Sequence, residues 1–407
     1  MNKTVKLRDI ASFSQGIQIP IKKQLSEKLE GAVRFIRIVD YTKLGNEPPR
    51  YIPNPGKNYV VEEDDIVMIR YGSKTAGMVS SGVSGAIANN MFQIKIKEKN
   101  IVDKNFLYWT LRQEGVYKSL NNSQSSSTMP AITFDMIGNL IINIPDLVNQ
   151  KKITSILSAY NHLIENNTRR IQILEEMAQR IYKEWFVDFK YPGYENDQMI
   201  DSDLGMIPEG WEAGKLDMIA RLVKNKYDDQ LHSNFPLLDL SRIPRKSNSI
   251  SDFGESNEIT TARIIFKKSK ILFGAIRPYF HKVVYCPNDG ITNSSVFVIE
   301  NRDGFSNMYL FSNLFSKSTV KWASQHSGGT KMPVIGWSVF KNMPVIIPRT
   351  EILIKFDQIL NPMLQKISNF VHKNQNLKKT RSLLLPKLIS GKRDVSDLDI
   401  DTSILND

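Results

Sequence analysis

Asn139-Leu140-Ile141-Ile142-Asn143-Ile144-Pro145 returns 203 residues later as Asn342-Met343-Pro344-Val345-Ile346-Ile347-Pro348. Just before it, Ser126-Ser127-Thr128-Met129-Pro130 returns at the same offset as Gly329-Thr330-Lys331-Met332-Pro333. Asn90 matches Asn293, each ahead of a strand-like apolar run. Further upstream the register slips by a few residues: Asp65-Ile66-Val67-Met68-Ile69-Arg70 resembles Lys270-Ile271-Leu272-Phe273-Gly274-Ala275-Ile276-Arg277. An offset held over so long a stretch marks an internal repeat. The chain reads as two copies of one unit.

Each copy has two parts. The first, about 140 residues, carries short β-rich runs broken by Gly, Pro, Asn and Ser, such as Val33 to Val39, Asp65 to Ile69, Phe92 to Ile96 and Leu140 to Ile144. Asn105 to Tyr117 predicts a helix between them, so this part is a mixed α/β globule. The second part is a long helix. Ile153, Leu157, Tyr160, Ile164, Asn167, Ile171, Leu174, Ala178, Ile181 and Trp185 alternate steps of four and three, and the same seam follows 203 residues on, from Phe356 to Leu388. A sustained heptad predicts a coiled coil, with a rod of about 45 Å for roughly 30 residues. Pro362 and Pro386 are expected to kink or end the second helix, leaving Met363 to Leu385 as its regular part.

Pairing the two helices antiparallel sets Ile153 against Leu388 and Asn167 against Asn374. A buried Asn–Asn layer would fix register at some cost in stability, whereas a looser pair would leave both amides at a solvated edge. The expected fold is α+β: two tandem α/β domains, each followed by a long helix, with the helices forming an antiparallel coiled coil of pseudo-twofold symmetry. The expected boundaries are 1–148 for the first such domain, 149–190 for the first helix and 191–210 for a linker. The second domain spans 211–350, its helix 351–392, and a disordered acidic tail 393–407. Such an arrangement suits two separated half-sites on a duplex.

Composition narrows the function classes. At 407 residues the chain suits two or three domains, and 41% hydrophobic with 24% charged residues is normal for a folded protein. A single cysteine, Cys286, excludes a disulfide framework and a multi-cysteine metal site. No segment approaches the roughly 18 apolar residues of a membrane span, and the N-terminus lacks the apolar stretch of a signal peptide, so the expected location is the cytoplasm. The formal charge of +12 fits a polyanionic partner, though a generic basic surface has the same balance.

Three stretches carry a family resemblance. Leu163 to Glu195, LIENNTRRIQILEEMAQRIYKEWFVDFKYPGYE, resembles the central conserved region of type I restriction–modification specificity subunits. Gly205-Met206-Ile207-Pro208-Glu209-Gly210-Trp211 resembles the start of their second target-recognition domain. Leu383-Leu384-Leu385-Pro386-Lys387-Leu388-Ile389-Ser390-Gly391-Lys392 resembles their distal conserved helix. With the duplication, the resemblance covers nearly the whole chain. It implies a non-catalytic subunit that reads a bipartite double-stranded DNA target. It also implies docking of two adenine-N6 methyltransferase subunits and of restriction/translocase subunits. S-adenosylmethionine, ATP and Mg would then belong to those partners, and no cofactor to this chain. Recognition domains of the family diverge with their targets, so base contacts do not transfer residue by residue.

Catalytic motifs are absent from the sequence. There is no G-x-x-x-x-G-K-[ST] phosphate loop, no G-x-G-x-x-G after a strand, and no H-E-x-x-H or paired Cys spacing. Glu47-Pro48-Pro49-Arg50 lacks the amide and the stacking ring of an amino-methyltransferase tetrad and reads as a proline turn.

Candidate DNA contacts lie where basic, amide and aromatic residues meet, since bases are read mostly by Arg, Lys, Asn and Gln. The first is Arg70, Tyr71, Ser73 and Lys74 after the strand ending at Ile69, with Arg277, Tyr279, His281 and Lys282 as counterparts. A second is the polar loop holding Ser126 and Thr128, matched by Gly329, Thr330 and Lys331, which suits phosphates. Further candidates are Arg34 and Arg37 on one strand, and Arg242, Arg245 and Lys246 in a proline-broken loop. Asn90 and Asn293 suit adenine but equally cap turns. Solvated strand ends and surface loops are the plain alternative throughout. Trp185, Phe186 and Phe189 exceed what a two-helix seam buries, which predicts docking onto a globular part of this chain or onto the methyltransferase. Two other readings stay open at this stage: a two-armed protein scaffold without DNA reading, and a stand-alone methyltransferase or nuclease with an unfamiliar site.

Overall fold

The structure is a computed structural model and describes residues 3–42, 47–72, 75–122, 131–228, 232, 234–250, 253–258 and 262–402. The chain forms two compact units, Met1–His162 with Leu377–Asp407, and Leu163–Asn376. Both units therefore take a share of each long helix.

In the first unit, strand Lys3–Lys6 pairs antiparallel with Ile141–Ile144. Next to this pair lies a four-stranded antiparallel sheet in the order Ala11–Gln15, Met91–Ile96, Ile66–Ile69, Val79–Ser80. A second sheet runs Arg50–Pro53, Ala32–Ile36, Gly85–Ile87, Val60–Val61, with a parallel pair at its centre. All four residues of Ile66–Ile69 are buried. Side chains alternate across a strand, so Ile66 and Met68 enter the core shared with the helices, while Val67 and Ile69 enter the core under the second sheet. A strand buried on both faces reads as the unbroken apolar run seen in the sequence.

The second unit repeats this plan. Glu212–Lys215 pairs with Pro344–Ile347, and a four-stranded sheet runs Ala220–Leu222, Val296–Asn301, Ile271–Gly274, Val283–Tyr285. The register of its central pair, Ile271 opposite Ile299, matches Ile66 opposite Ile94. Ile271 and Phe273 face the helical core, Leu272 the other. The remaining sheet has diverged: it has three strands, Asn225–Lys226, Arg263–Phe266 and Gly290–Asn293, all antiparallel. The single helix expected over Asn105 to Tyr117 is two, Lys104–Leu111 and Glu114–Asn122. The turn between them brings Leu120 to the same core as Phe106 and Leu107. Asp103 caps the first of these helices by accepting the Phe106 N–H, and Ser306 does the same for Tyr309 in the second unit.

The long helices are Leu147–Phe186 and Thr350–Ile389, each of 40 residues. The second one runs through Pro362 and Pro386, so neither proline ends it. Both prolines are exposed, so each removes one hydrogen bond on the solvent side while the buried seam beside them holds the helix. In the second unit Trp185 packs on Phe356 at 5.7 Å, and Asn167 meets Asn374 at 2.9 Å. Both pairs add to 541, the constant sum of an antiparallel pairing. In the first unit Ile153 and Leu157 share a core with Leu385 and Leu388, and Arg381 reaches Asn161.

The acidic tail departs from the disorder expected of it. Val395 is buried in the first unit's core, the Asp394 carboxylate accepts the Ser396 N–H, and Lys152 donates to the Ser396 carbonyl at 2.6 Å. Residues 403–407 lie outside the described residues. Among the described residues no helix is long and apolar enough to cross a membrane.

Candidate nucleic-acid interface

In the first unit Arg70 is stitched in place by its backbone. Its N–H donates to the Asn90 carbonyl at 2.8 Å, and its carbonyl accepts the Ile132 N–H at 2.9 Å. Tyr71 then bridges to Ala131, which joins the strand end to the chain just past the polar loop. The Arg70 guanidinium donates to Gln15 Oε1 at 2.8 Å and lies over the rings of Tyr71 and Phe134. Asn90 Oδ1 is buried and has no hydrogen-bond partner among the described residues. Nearby, Asn89 donates to Gln18 at 3.2 Å, and Gln15 donates to the Asn89 carbonyl. Gln15, Gln18, Asn89, Asn90 and Arg70 therefore form one amide-rich cluster, of the side-chain types that address adenine and guanine edges. Gln15 and Gln18 were missed in the sequence reading. The signal was Gly16 beside them, where a Cβ would sit 2.3 Å from the carbonyl oxygens of Ile87 and Ala88. Ser73, Lys74, Ser126 and Thr128 lie outside the described residues.

Arg34 and Arg37 both reach a buried acid. Arg37 lies one residue beyond the strand Ala32–Ile36, and both guanidinium groups hold the buried Asp40 carboxylate. Burial alone would raise the Asp40 carboxyl, but hydrogen bonds from the Arg37 side chain and backbone and from Arg34 outweigh it. The net result is a carboxyl below the usual range. One buried acid thus ties two arginines to the end of the strand.

In the second unit Arg277 donates its N–H to the Pro333 carbonyl at 2.7 Å and its guanidinium to the Lys331 carbonyl at 3.2 Å. Gly329, Thr330 and Lys331 are exposed on the turn that this contact holds, with Gly329 at φ 94°. The backbone pattern corrects the expected equivalences. Ala275, not Arg277, takes the place of Arg70, because Ile335 donates to the Ala275 carbonyl and Ala275 donates to Ser295. Asn90 is matched by Ser295, and Arg277 stands two residues further out.

Several other candidates face inward. His281 is buried with Nε2 2.8 Å from the Phe315 carbonyl, and desolvation lowers its pKa. Lys282 donates to the Leu240 carbonyl, and burial lowers its pKa too. Arg242 is ion-paired with Asp239 and Glu258. Asn293 caps a turn by accepting from the Ser295 N–H and hydroxyl. Arg245 lies 3.8 Å over the Phe280 ring, while Lys246 and Tyr279 are exposed. Trp185, Phe186 and Phe189 do not form a free docking face. Phe186 packs on Tyr309, Phe356 and Trp211, and Phe189 on Trp211, all within the second unit.

The duplicated sheets have a match among known families. The profile described as "Type I restriction modification DNA specificity domain" matches residues 2–176 and again 208–381. The chain belongs to this family. Type I specificity subunits are also among the relatives of this chain. The type I restriction enzyme MjaIX specificity subunit of Methanocaldococcus jannaschii is 25% identical, covering 77% of this chain and 76% of its own length. The HindI specificity subunit of Haemophilus influenzae is 22% identical, covering 84% of this chain and 89% of its own length. The S subunit of a type I restriction–modification system from M. genitalium shares the fold, with a TM-score of 0.56, 14% identity and 96% coverage of both chains.

Proposed function

We propose that each of the two copies reads one half of a split duplex DNA target, the first through the Arg70 cluster and the second around Arg277 and the Gly329–Lys331 turn. As a type I specificity subunit the chain supplies DNA target recognition and is not itself the enzyme; methylation and restriction belong to partner subunits. Two adenine-N6 methyltransferase subunits dock on the paired helices, and restriction/translocase subunits join for cleavage. S-adenosylmethionine, ATP and Mg act on those partners, in the cytoplasm. The observation that carries this reading is the doubled match over residues 2–176 and 208–381, with an arginine held by its backbone against the post-loop segment in each copy. Two copies of one reader call for two blocks of sequence.

Mapping methyladenine by single-molecule sequencing tests it. The chain is co-expressed with its methyltransferase subunit in a host that lacks such methylation. A motif of two fixed blocks with an unspecified gap, absent without this chain, is the expected result. A stable complex that writes no new motif would overturn the reading.

A further inference from the structure

Tyr279 stands half exposed on the one-turn helix Pro278–Phe280, flanked by two non-glycine residues in the left-handed region, Arg277 (φ 50°) and His281 (φ 53°). A third, Lys246 (φ 55°), donates its N–H to the His281 carbonyl at 2.8 Å. Such residues persist only where the surroundings over-determine them. Here the surroundings are the buried His281–Phe315 hydrogen bond and the Arg245 guanidinium stacked on Phe280. The turn is a rigid mount for an outward tyrosine.

Between this mount and the helix Lys317–Gln325 lies an open cleft of about 480 Å³. Lys246, Lys317 and Lys321 line it together with Tyr279, and among the described residues no carboxylate does. Among the described residues none of these three lysines makes an ion pair; the second unit's salt bridges engage other side chains. The equivalent helix of the first unit, Glu114–Asn122, differs in charge. Glu114 stands 203 positions before Lys317, and Lys118, the counterpart of Lys321, is ion-paired to Glu114 at 2.6 Å. One copy neutralises this helix face and the other leaves it cationic.

The geometry points to a phosphate grip on the second reader only: Lys246, Lys317 and Lys321 hold the DNA backbone beside the second half-site, with Tyr279 packed on a sugar. This rests on the chain being a DNA-reading subunit, and it makes the two half-sites unequal in how they bind. Phosphate contacts position a protein without specifying bases, so the grip governs affinity and salt dependence and leaves the target sequence alone.

The test uses the complex of the full chain with its methyltransferase and a duplex carrying the motif found by methylome mapping. Affinity is measured against salt concentration for wild type, the Lys317→Gln/Lys321→Gln double variant and Lys118→Gln, each checked by its melting temperature. The log–log slope is expected to become shallower by about 1.8 in the double variant, from about 0.9 per lost phosphate contact. Lys118→Gln should leave the slope unchanged, and the methylated motif should be the same in all three. Tyr279→Ala should weaken binding several-fold with the slope kept. An unchanged slope in the double variant, while wild type writes its split motif, overturns the grip and leaves DNA reading standing. A changed motif overturns it too, since the lysines would then be reading bases. A wild-type complex that writes no split motif overturns the DNA reading and the grip together.

Discussion

Asn167 donates a side-chain hydrogen bond to Asn374 Oδ1 at 2.9 Å, and the Asn374 amide donates in turn to the Ile164 carbonyl and the Thr168 hydroxyl. Asn374 is buried and its amide hydrogens both find acceptors, so the layer is satisfied between apolar neighbours such as Ile171 and Ile367. Asn374→Leu strips Asn167 and Thr168 of their partner, and a loss of about 1–3 kcal/mol is expected. Asn167→Leu/Asn374→Leu removes both sides and should recover most of it, at the expense of register. Urea unfolding of the three proteins decides this. An unchanged midpoint for the single variant would remove the layer from the seam's energetics.

Glu175, eight residues further along the same helix, accepts the Asn248 N–H at 2.6 Å and the Ser247 hydroxyl at 3.0 Å. Burial pushes its carboxyl up from 4.5 to about 7, against the hydrogen bonds, which pull it down. The folded chain therefore holds this proton more tightly than the unfolded chain. The stabilisation is full below the ordinary glutamate value and is lost as pH rises through about 7. Wild type should lose thermal stability between about pH 5 and about pH 8, and Glu175→Gln should flatten that decline and exceed wild type at the upper end. Melting curves that stay parallel across this window would contradict the assignment.

Phe186 sits among Tyr309, Phe356 and Trp211, with ring centroids 4.7, 4.8 and 5.8 Å away. Phe186→Ala should destabilise the second unit by about 3–5 kcal/mol. Its neighbour Val187, 51% exposed, should tolerate alanine within about 0.5 kcal/mol. Limited proteolysis reads both. Equal resistance of the two variants would return Phe186 to the role of a partner-facing residue.

Asp40 holds Arg34 and Arg37 at once. Asp40→Ala leaves two half-buried guanidinium groups uncompensated. The expected loss is about 3 kcal/mol, at the low end for a broken buried pair because both arginines keep some solvent. Arg34→Ala should lower stability without changing the salt dependence of DNA binding. A shallower slope for Arg34→Ala would make that arginine a phosphate contact after all.

The sequence alone determined the elements whose identity rests on local periodicity. The repeat from Asn139 to Pro145 and from Asn342 to Pro348 gave two copies of one unit, and the heptads gave two helices paired antiparallel through Asn167 and Asn374. A helix or strand that buries one face must place apolar residues at a fixed spacing, and that spacing is written in the chain. Insertions in loops carry no such period. The repeat offset is 203 at the long helices but 205 at the strands Ile66–Ile69 and Ile271–Gly274, which is why Arg277 was set against Arg70 where the fold sets Ala275.

Tertiary structure decided which polar residues look outward. His281 finds the Phe315 carbonyl 34 positions away, and Lys282 finds that of Leu240 at 42. Even the near pair Arg37–Asp40 depends on remote packing, because it buries the acid and so sets where the arginine must point. Val395 was drawn from the acidic tail into a core, and Pro362 was kept inside a helix, for the same reason. A charge or a proline has a fixed chemistry, but its energy depends on the dielectric and the partners around it, and those arrive only when distant segments pack.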